Sequence, residues 1–142
     1  MSLLSFESSC DESAVALYAS DGSLVAQKLA SQANVHATFT GVVPEIASRL
    51  HASTLPVLLK ELLAECNCNL SDVETIAATI GPGLKGCLLT GVTIAKSLSY
   101  SLGVPFIGVD HLESHIYGAF IEHDMPAFPF YALVISGGHT HF

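Results

Sequence analysis

The pattern of apolar and polar positions predicts three short strands at the start of the chain. The three apolar runs lie at 2–6, 14–19 and 24–30. A polar turn at 7–13 separates the first two runs, and the Asp21-Gly22 pair before the third is typical of a tight hairpin turn. We therefore expect an antiparallel meander of three strands.

Beyond residue 40 the apolar positions recur mostly at helical spacing. Pro44 is well placed as the first residue of a helix. The apolar face of this helix includes Ile46, Leu50, Leu58 and Leu62. Pro56 lies inside the pattern and predicts a kink or a split into two helices. Further helices are expected at 84–101 and 111–122, and further strands at 73–80, 104–109 and 130–136.

The resulting order of elements, β-β-β-α-β-α-β-α-β, predicts an α/β fold. A meander followed by βαβ crossovers forms a mixed sheet with helices packed on it. This is the ribonuclease-H-like order found in the lobes of actin-like ATPases. Because the last predicted strand has no partner after it, we expect one lobe at 1–128 and the start of a second, truncated lobe at 129–142. On this interpretation the chain is an N-terminal fragment.

The composition indicates a globular protein without a membrane span. Of the 142 residues, 50% are hydrophobic and only 13% are charged, and the mean hydropathy is +0.52. A disordered chain has fewer core-forming residues. The uncharged stretch 97–109 is too short to cross a bilayer, and the first ten residues lack the features of a secretion signal. The four cysteines match no zinc or disulfide pattern, so we expect free thiols in the cytoplasm.

The charge argues against direct nucleic-acid binding by this chain. Five Lys and Arg residues stand against thirteen Asp and Glu residues, which gives a formal net charge of −8. Neutralising phosphates requires clustered basic side chains, and the sequence contains no such cluster. A function on nucleic acid therefore requires a basic surface elsewhere in a longer protein or on partner proteins.

The segment from His111 to His115, HLESH, is the most specific chemical pattern in the chain. Positions i and i+4 share one face of a helix, so both imidazoles can reach one metal ion. Asp110 is suited to cap this helix, and the helix macrodipole disfavours a protonated His111. Two ligands do not complete a site, so a third, most simply a carboxylate, is required. The alternative is a pair of histidines with surface or packing roles only.

Three turns are further candidates for binding. Gly81-Pro82-Gly83 joins a strand to a helix, where the backbone amides bind an anion or the glycines simply permit a tight turn. The segment 136–140, SGGHT, suits phosphate binding, with an ordinary hairpin as the alternative. The turn at 7–13 carries three carboxylates that would face a metal or phosphates, although Ser and Asp also favour simple turns. Acidic neighbours raise the pKa of the Cys10 thiol, which argues against a nucleophile there.

Five segments, in their order and spacing, resemble the TsaD family, also called Gcp or YgjD. They are ESSCDESAVALY, HATFTGVVPEIASRLH, GPGLKGCLLTG, the HLESH helix and VISGGHT. Members of this family are tRNA threonylcarbamoyl transferases with an actin-like, two-lobed fold. The resemblance covers nearly the whole chain. It implies threonylcarbamoyl transfer to the adenosine beside the anticodon, with the isolated chain inactive.

The resemblance also implies roles for individual residues. His111 and His115 match the family's ligands for one divalent metal ion, iron or zinc, whose third ligand lies outside this chain. Asp11 and Glu12 match the acidic turn near the active site and are candidate catalytic residues. The residues that match the substrate-binding strand and turn, which contact threonylcarbamoyl-adenylate, are Val134, Ile135, Ser136, Gly137 and Gly138. Ser5-Phe6 and Lys85 depart from the family pattern, outside the metal-ligand motif.

Partners follow from the resemblance as well. Bacterial relatives work with a paralogue, TsaB, and an ATPase, TsaE. The helices near 44–65 are expected to form a heterodimer with a TsaB-like partner. The substrates of the full-length protein would be tRNA and threonylcarbamoyl-adenylate. Apolar surface made for such contacts predicts that the fragment self-associates.

The main alternative is a non-catalytic TsaB-like scaffold of the same fold, which has no use for the histidine pair. A metalloprotease is disfavoured because H-x-E-x-H lacks the glutamate position that acts as base in H-E-x-x-H enzymes. An actin-like sugar kinase or ATPase lobe is disfavoured because HLESH does not belong to the phosphate-binding apparatus of such kinases.

Overall fold

A computed structural model describes residues 2–121 and 123–135, together with the backbone of 140–141. The strands are β1 Leu3–Glu7, β2 Glu12–Tyr18, β3 Leu24–Ser31, β4 Thr75–Gly81, β5 Phe106–Asp110, β6 Val134–Ile135 and β7 Thr140–His141. The helices are α1 Ala33–His36, α2 Pro44–Cys66, α3 Lys85–Leu102 and α4 His111–Gly118, with short 3-10 turns at Ala37–Phe39 and Leu70–Asp72. No helix in the described part of the chain is long and apolar enough to cross a membrane.

The main sheet has five strands in the order β3-β2-β1-β4-β5. The first three strands pair antiparallel, as the predicted meander requires. Strand β4 adds parallel to β1, and β5 adds parallel to β4. The predicted mixed α/β sheet is therefore confirmed. Its parallel strands place the carboxyl ends of β1, β4 and β5 at one edge.

One face of this sheet forms the core with α2 and α3. Alternate residues of β1 and β2 point to this face, and they are Leu4, Phe6, Val15 and Leu17. The side chains of Leu55, Leu58 and Leu62 from α2 pack against them. Each such leucine stabilises the fold by about 1.5–3 kcal/mol through removal of apolar surface from water.

The opposite face of the sheet carries small side chains and is open. Ser5, Ala14, Ala16 and Ala77 line a cavity of about 500 Å³ on this face. Helix α4 begins directly after β5 and bounds the cavity with His111 and His115. The fold thus places the predicted histidine motif at the carboxyl edge of the parallel strands.

Of the two outcomes expected at Pro56, a kink or a split, the split does not occur, because α2 is one helix from Pro44 to Cys66. A proline inside a helix removes one backbone hydrogen bond, at a cost of about 3 kcal/mol. Here Leu55, Leu58 and Leu59 on both sides of Pro56 are buried in the core. Their burial outweighs the lost bond and keeps the two halves in one helix.

Several boundaries also differ from the prediction. Helix α4 ends at Gly118 instead of residue 122, since glycine is a weak helix former. Of the last predicted strand, 130–136, residues 130–135 are described, and within them only Val134–Ile135 forms a strand, which pairs antiparallel with β7. Strand β7 and the short helix α1 were not expected. The five-stranded sheet and its helices use residues 3–118, and the lobe boundary at 128 remains a prediction.

Candidate active site

Helix α4 holds His111 at the carboxyl edge of the sheet because Asp110 caps the helix. The Asp110 carboxylate accepts hydrogen bonds from the backbone N–H groups of Leu112, at 2.8 Å, and Glu113, at 3.1 Å. The cap predicted from the sequence is therefore present, and it contributes about 1 kcal/mol to the helix. His111 becomes the first residue of the helix, at the positive end of its macrodipole.

His111 and His115 lie side by side with their Nε2 atoms 3.1 Å apart. The ring centroids are 4.5 Å apart, with the ring planes at 77° to each other. Two histidine nitrogens on one tetrahedral metal ion, at ordinary bond lengths, are separated by about 3.3 Å. The separation is that of a hydrogen bond between the two rings, and it is also close to what a metal ion bound through both Nε2 atoms requires. Among the described residues, no cluster of three or more His, Cys, Asp or Glu side chains completes such a site.

Glu7 and Ser9 face the other ring nitrogen of His111. The Glu7 Oε2 atom lies 3.5 Å from His111 Nδ1, and the Ser9 hydroxyl lies 3.3 Å from the same atom. A carboxylate on Nδ1 fixes the ring orientation and leaves Nε2 without a proton, which is the form that binds a metal. Glu7 therefore presents Nε2 of His111 to the space that His115 also faces.

Glu7 is held ionised by its surroundings. Burial raises the pKa of its carboxyl group, but hydrogen bonds from Ser9 and Thr79 outweigh burial and lower the pKa below its ordinary value. The Thr79 hydroxyl donates to Oε2, and the Ser9 backbone N–H donates to Oε1. A fixed negative charge thus lies beside His111.

Sequence reasoning included Glu7 among the three carboxylates of the turn at 7–13 but gave it no role of its own in the site. Glu7 ends β1 and Asp110 ends β5, with β4 between these two strands. Parallel pairing brings the carboxyl ends of β1 and β5 to one edge of the sheet. The sequence alone does not give the order of the strands, so it does not show that these two ends lie close together. The available signal was a carboxylate at the end of the first apolar run.

Glu12, one of the two predicted acidic residues, reaches the cavity of the histidine pair. It lines this cavity together with Glu7, Thr79, His111 and His115. Asp11 precedes Glu12 on the same turn but is not among the described residues that line the cavity. The structure thus places Glu7 and Glu12, two of the three carboxylates of the turn at 7–13, in the cavity that the histidine pair also lines.

The glycine turn 81–83 packs closely against the acidic turn. The Leu84 backbone N–H donates to the Ser9 carbonyl at 2.8 Å. A Cβ atom on Gly83 would lie 2.6 Å from that carbonyl oxygen, a distance no real Cβ adopts. Gly83 is therefore required for close backbone approach, which supports the tight-turn interpretation of this segment over an anion site.

The Cys10 thiol is a poor nucleophile, as expected from its acidic neighbours. Burial raises its pKa, and Asp11 raises it further, to about 11. At neutral pH the side chain is a thiol, and only the thiolate attacks an electrophile. The acidic turn therefore contributes carboxylates and no sulfur nucleophile.

A second cavity, of about 600 Å³, is also lined by His115. Val134 and Ile135 line it together with the aromatic rings of Phe120 and Phe130. These two predicted substrate-binding residues are thus close to the histidine pair. The other three, Ser136, Gly137 and Gly138, lie outside the described residues.

Comparison with known proteins identifies the sequence family. Residues 23–142 match the family model described as "TsaD: tRNA N6-adenosine threonylcarbamoyltransferase". Two similar relatives carry the name tRNA N6-adenosine threonylcarbamoyltransferase: that of Maridesulfovibrio salexigens is 53% identical, and that of Geotalea uraniireducens 50% identical, over 141 residues. Both alignments cover 99% of this chain but only 39% and 41% of the relatives. The chain therefore spans about two fifths of the length of the curated relatives it matches.

Comparison with solved structures confirms the fold class. YeaZ from Pseudomonas aeruginosa superposes with a TM-score of 0.67 at 26% identity, over 85% of this chain and 49% of that chain. YeaZ belongs to the ribonuclease-H-like, actin-like ATPase class, as predicted for this chain from its element order.

Proposed function

We propose that this chain, which belongs to the TsaD family of tRNA N6-adenosine threonylcarbamoyltransferases, carries the metal-binding part of such a transferase. The reaction transfers a threonylcarbamoyl group to the N6 amine of the adenosine beside the anticodon. The observation that carries this proposal is the convergence of His111 and His115, with Nε2 atoms 3.1 Å apart, beside Glu7 and Glu12.

The proposed reaction forms one bond and breaks another. The adenosine N6 attacks the carbamoyl carbon of threonylcarbamoyl-adenylate, the bond from that carbon to the phosphate oxygen breaks, and adenylate leaves. The N6 atom loses one proton in this exchange. Glu12 is the proposed acceptor because its carboxylate lines the cavity of the histidine pair. Asp11 is proposed to add negative charge beside it on the same turn.

His111 and His115 would hold iron or zinc through their Nε2 atoms, with a third ligand from outside this chain. When bound, the ion supplies Lewis-acid polarisation of the carbamoyl carbonyl. The contribution of this chain is to orient the ligands: Asp110 caps the helix, and Glu7 contacts Nδ1 of His111. Losing either contact would let the ring turn away from the ion.

Residues 134–138 are proposed to contact the threonylcarbamoyl-adenylate. Support comes from Val134 and Ile135, which line a cavity together with His115. Backbone amides of Gly137 and Gly138 are the proposed donors to the oxygens of the substrate, as expected from the family resemblance.

Helix α2 is proposed to bind a TsaB-like partner. Support comes from the likeness to YeaZ, the TsaB protein, and from an exposed side of α2 that includes Val57. A TsaE-like ATPase and tRNA complete the proposed assembly. Because this chain carries a formal charge of −8, the basic surface for tRNA is proposed to lie on other parts of the assembly. We place that assembly in the cytoplasm, with its tRNA substrate.

The second candidate function is a TsaB-like scaffold without catalysis. The superposition on YeaZ favours it, since the two folds agree over 85% of this chain. However, identity to the transferases is 53% and 50%, against 26% to YeaZ. A scaffold also needs neither the histidine pair nor Glu7 behind it.

A chimeric enzyme separates the two functions. This chain would replace the matching segment of the M. salexigens relative, and the chimera would be assayed with the TsaB and TsaE proteins of that organism. We expect the modified adenosine to form, by mass spectrometry of tRNA digests, at a rate within about tenfold of the unaltered relative. The isolated 142-residue chain should form none.

His111→Ala and His123→Ala provide the matched comparison, since His123 is an exposed histidine outside the site. We expect His111→Ala to abolish transfer and His123→Ala to leave it unchanged. A chimera that binds the TsaB partner and remains folded but forms no product would contradict the transferase proposal and favour the scaffold.

A further inference from the structure

A cluster of buried polar side chains lies beneath the acidic turn, and the proposed reaction leaves it without a role. Its members are Ser13, Gln32, His36 and His51, all buried. His51 lies in the N-terminal half of α2 and has no exposed surface. Buried polar groups destabilise a fold unless each finds a partner, so the partners of this cluster reveal what it holds.

Both ring nitrogens of His51 make hydrogen bonds, and the partners define its tautomer. Nε2 lies 3.0 Å from the Cys10 carbonyl oxygen, which only accepts hydrogen bonds. Nε2 must therefore carry the proton and donate it. Nδ1 is then the acceptor, and the Ser13 hydroxyl donates to it at 2.7 Å. Burial also lowers the pKa of His51, which favours this neutral form.

The hydrogen bonds of His36 and Gln32 are consistent with this tautomer of His51. The Val43 backbone N–H donates to Nδ1 of His36, at 3.4 Å. The Nε2 atom of His36 donates to Oε1 of Gln32, at 3.0 Å. This orients the Gln32 amide nitrogen toward His51 and the Ala47 carbonyl. Each of these donors has an acceptor, so the side chains of this cluster are locked in one arrangement.

The acidic turn is held at three successive carbonyl groups. Ser9 accepts from the backbone of Leu84, and Asp11 accepts from the backbone of Gln32, at 2.8 and 2.9 Å. Between them, Cys10 accepts from the His51 side chain. The donors of Leu84 and Gln32 are backbone N–H groups, whereas that of His51 belongs to its side chain. Of these three donors, a substitution can therefore remove that of His51 and leave the backbone unchanged.

We propose that His51 is a positioning residue for the transfer reaction, which holds the Cys10 carbonyl through Nε2–H and thereby fixes Asp11 and Glu12 relative to the histidine pair. This inference rests on the proposed function, in which Glu12 accepts the N6 proton. It also ties α2, the proposed partner helix, to the active-site turn through hydrogen bonds with the Cys10 carbonyl and the Ser13 hydroxyl. Displacing a catalytic group by as little as 1 Å lowers a rate by about 100-fold.

Two substitutions separate positioning from simple stability. His51→Gln keeps an N–H group near the Nε2 position, whereas His51→Leu removes the donor and keeps a buried side chain of similar size. Ser99→Ala is the matched control, because the Ser99 hydroxyl also donates to a backbone carbonyl, that of Val104, at 2.6 Å. Ser99 lies near the end of α3, away from the acidic turn.

The first readout uses the 142-residue chain and requires no activity. We expect nitrogen NMR of the unaltered chain to show His51 with a protonated Nε2 and a bare Nδ1. Amide hydrogen exchange at residues 10–12 should be about tenfold faster in His51→Leu, and close to normal in His51→Gln and Ser99→Ala. A proton on Nδ1, or exchange at the turn that does not respond to His51→Leu, would overturn the proposal.

The second readout is transfer by the chimera described above. We expect His51→Leu to lower kcat by roughly 10- to 100-fold with little change in the KM for tRNA. His51→Gln should restore most of kcat, and Ser99→Ala should leave both constants unchanged. Equal losses of kcat in the Gln and Leu variants, or a loss confined to KM, would overturn the positioning role. If the unaltered chimera is inactive, the proposed function fails, while the exchange measurement still decides whether His51 fixes the turn.

Discussion

At the scale of single residues, two carboxylates near the histidine pair have different surroundings and different proposed tasks. Glu7 is enclosed by hydrogen bonds from Ser9 and Thr79 and contacts Nδ1 of His111. Glu12 is exposed at the start of β2 and lines the open cavity. The enclosed carboxylate suits orientation of a ligand, and the exposed one suits exchange of a proton with substrate.

Glu7→Gln tests the orienting role. The amide keeps the size of the side chain but replaces the ionised acceptor on Nδ1 of His111 with a neutral one. Loss of a carboxylate behind a metal-bound histidine typically weakens metal binding by about 10- to 100-fold. We expect that loss in the chimera when zinc or iron binding is titrated.

Glu113→Gln is the control for this experiment. It also removes one negative charge, here from helix α4, but Glu113 makes no contact with Nδ1 of His111 among the contacts described above. It should leave metal affinity nearly unchanged. Similar losses in both variants would show that general charge, rather than the contact with His111, sets the affinity.

His51 also predicts a pH dependence of stability. Its pKa in the folded chain is lowered by burial, below the ordinary value of about 6.5. The unfolded chain therefore binds a proton more readily, so the stabilising effect of the neutral ring is complete above about pH 6.5 and is lost as the pH falls below it. Urea unfolding should show this loss, and His51→Gln should remove it. An identical pH profile in the variant would contradict the assignment.

At the scale of elements, α2 packs against the core as one continuous helix although it contains Pro56. Pro56 is exposed and the residues around it hold the helix together by burial. Pro56→Ala restores a backbone N–H without changing the core, so we expect the free energy of unfolding to rise by about 1–3 kcal/mol. Lys60→Ala, also exposed on α2, should change it by less than about 0.5 kcal/mol. Unaltered stability in Pro56→Ala would mean that α2 is already distorted there.

Local patterns were sufficient to predict most of the elements but not their contacts. The hairpin at Asp21-Gly22, the start of α2 at Pro44 and the Asp110 cap depend on neighbouring residues only, and each was predicted. Whether α2 continues through Pro56 depends on whether burial of the neighbouring leucines outweighs the lost backbone hydrogen bond. The spacing of apolar residues alone does not decide this. The roles of Glu7 and His51 depend on strand order and on packing between segments about forty or more residues apart, which no local pattern encodes.

At the scale of the whole molecule, the chain exposes large apolar side chains on both the sheet and the helices. Leu29 on β3 is 61% exposed and Leu89 on α3 is 67% exposed. Such surface favours association. We therefore expect the 142-residue chain to self-associate, with a light-scattering mass that rises with concentration above 14.9 kDa.

The variants Leu89→Ser and Leu29→Ser locate the contact. Loss of association in Leu89→Ser alone would assign it to the helical side that α2 and α3 form, where the TsaB-like partner is proposed to bind. Loss in Leu29→Ser alone would assign it to the sheet. A constant monomer mass at all concentrations would contradict the expectation.

The most direct test of the account is a metal titration of the chimera, with the rate of adenosine modification as the readout. Chimera stripped of metal would be titrated with iron(II) or zinc beside its His111→Ala variant. We predict that the rate rises with occupancy of one ion per chain and saturates there, and that the variant recovers no activity. Full activity in the stripped enzyme, or equal recovery in the His111→Ala variant, would contradict the claim that the histidine pair forms the metal site of a threonylcarbamoyl transferase.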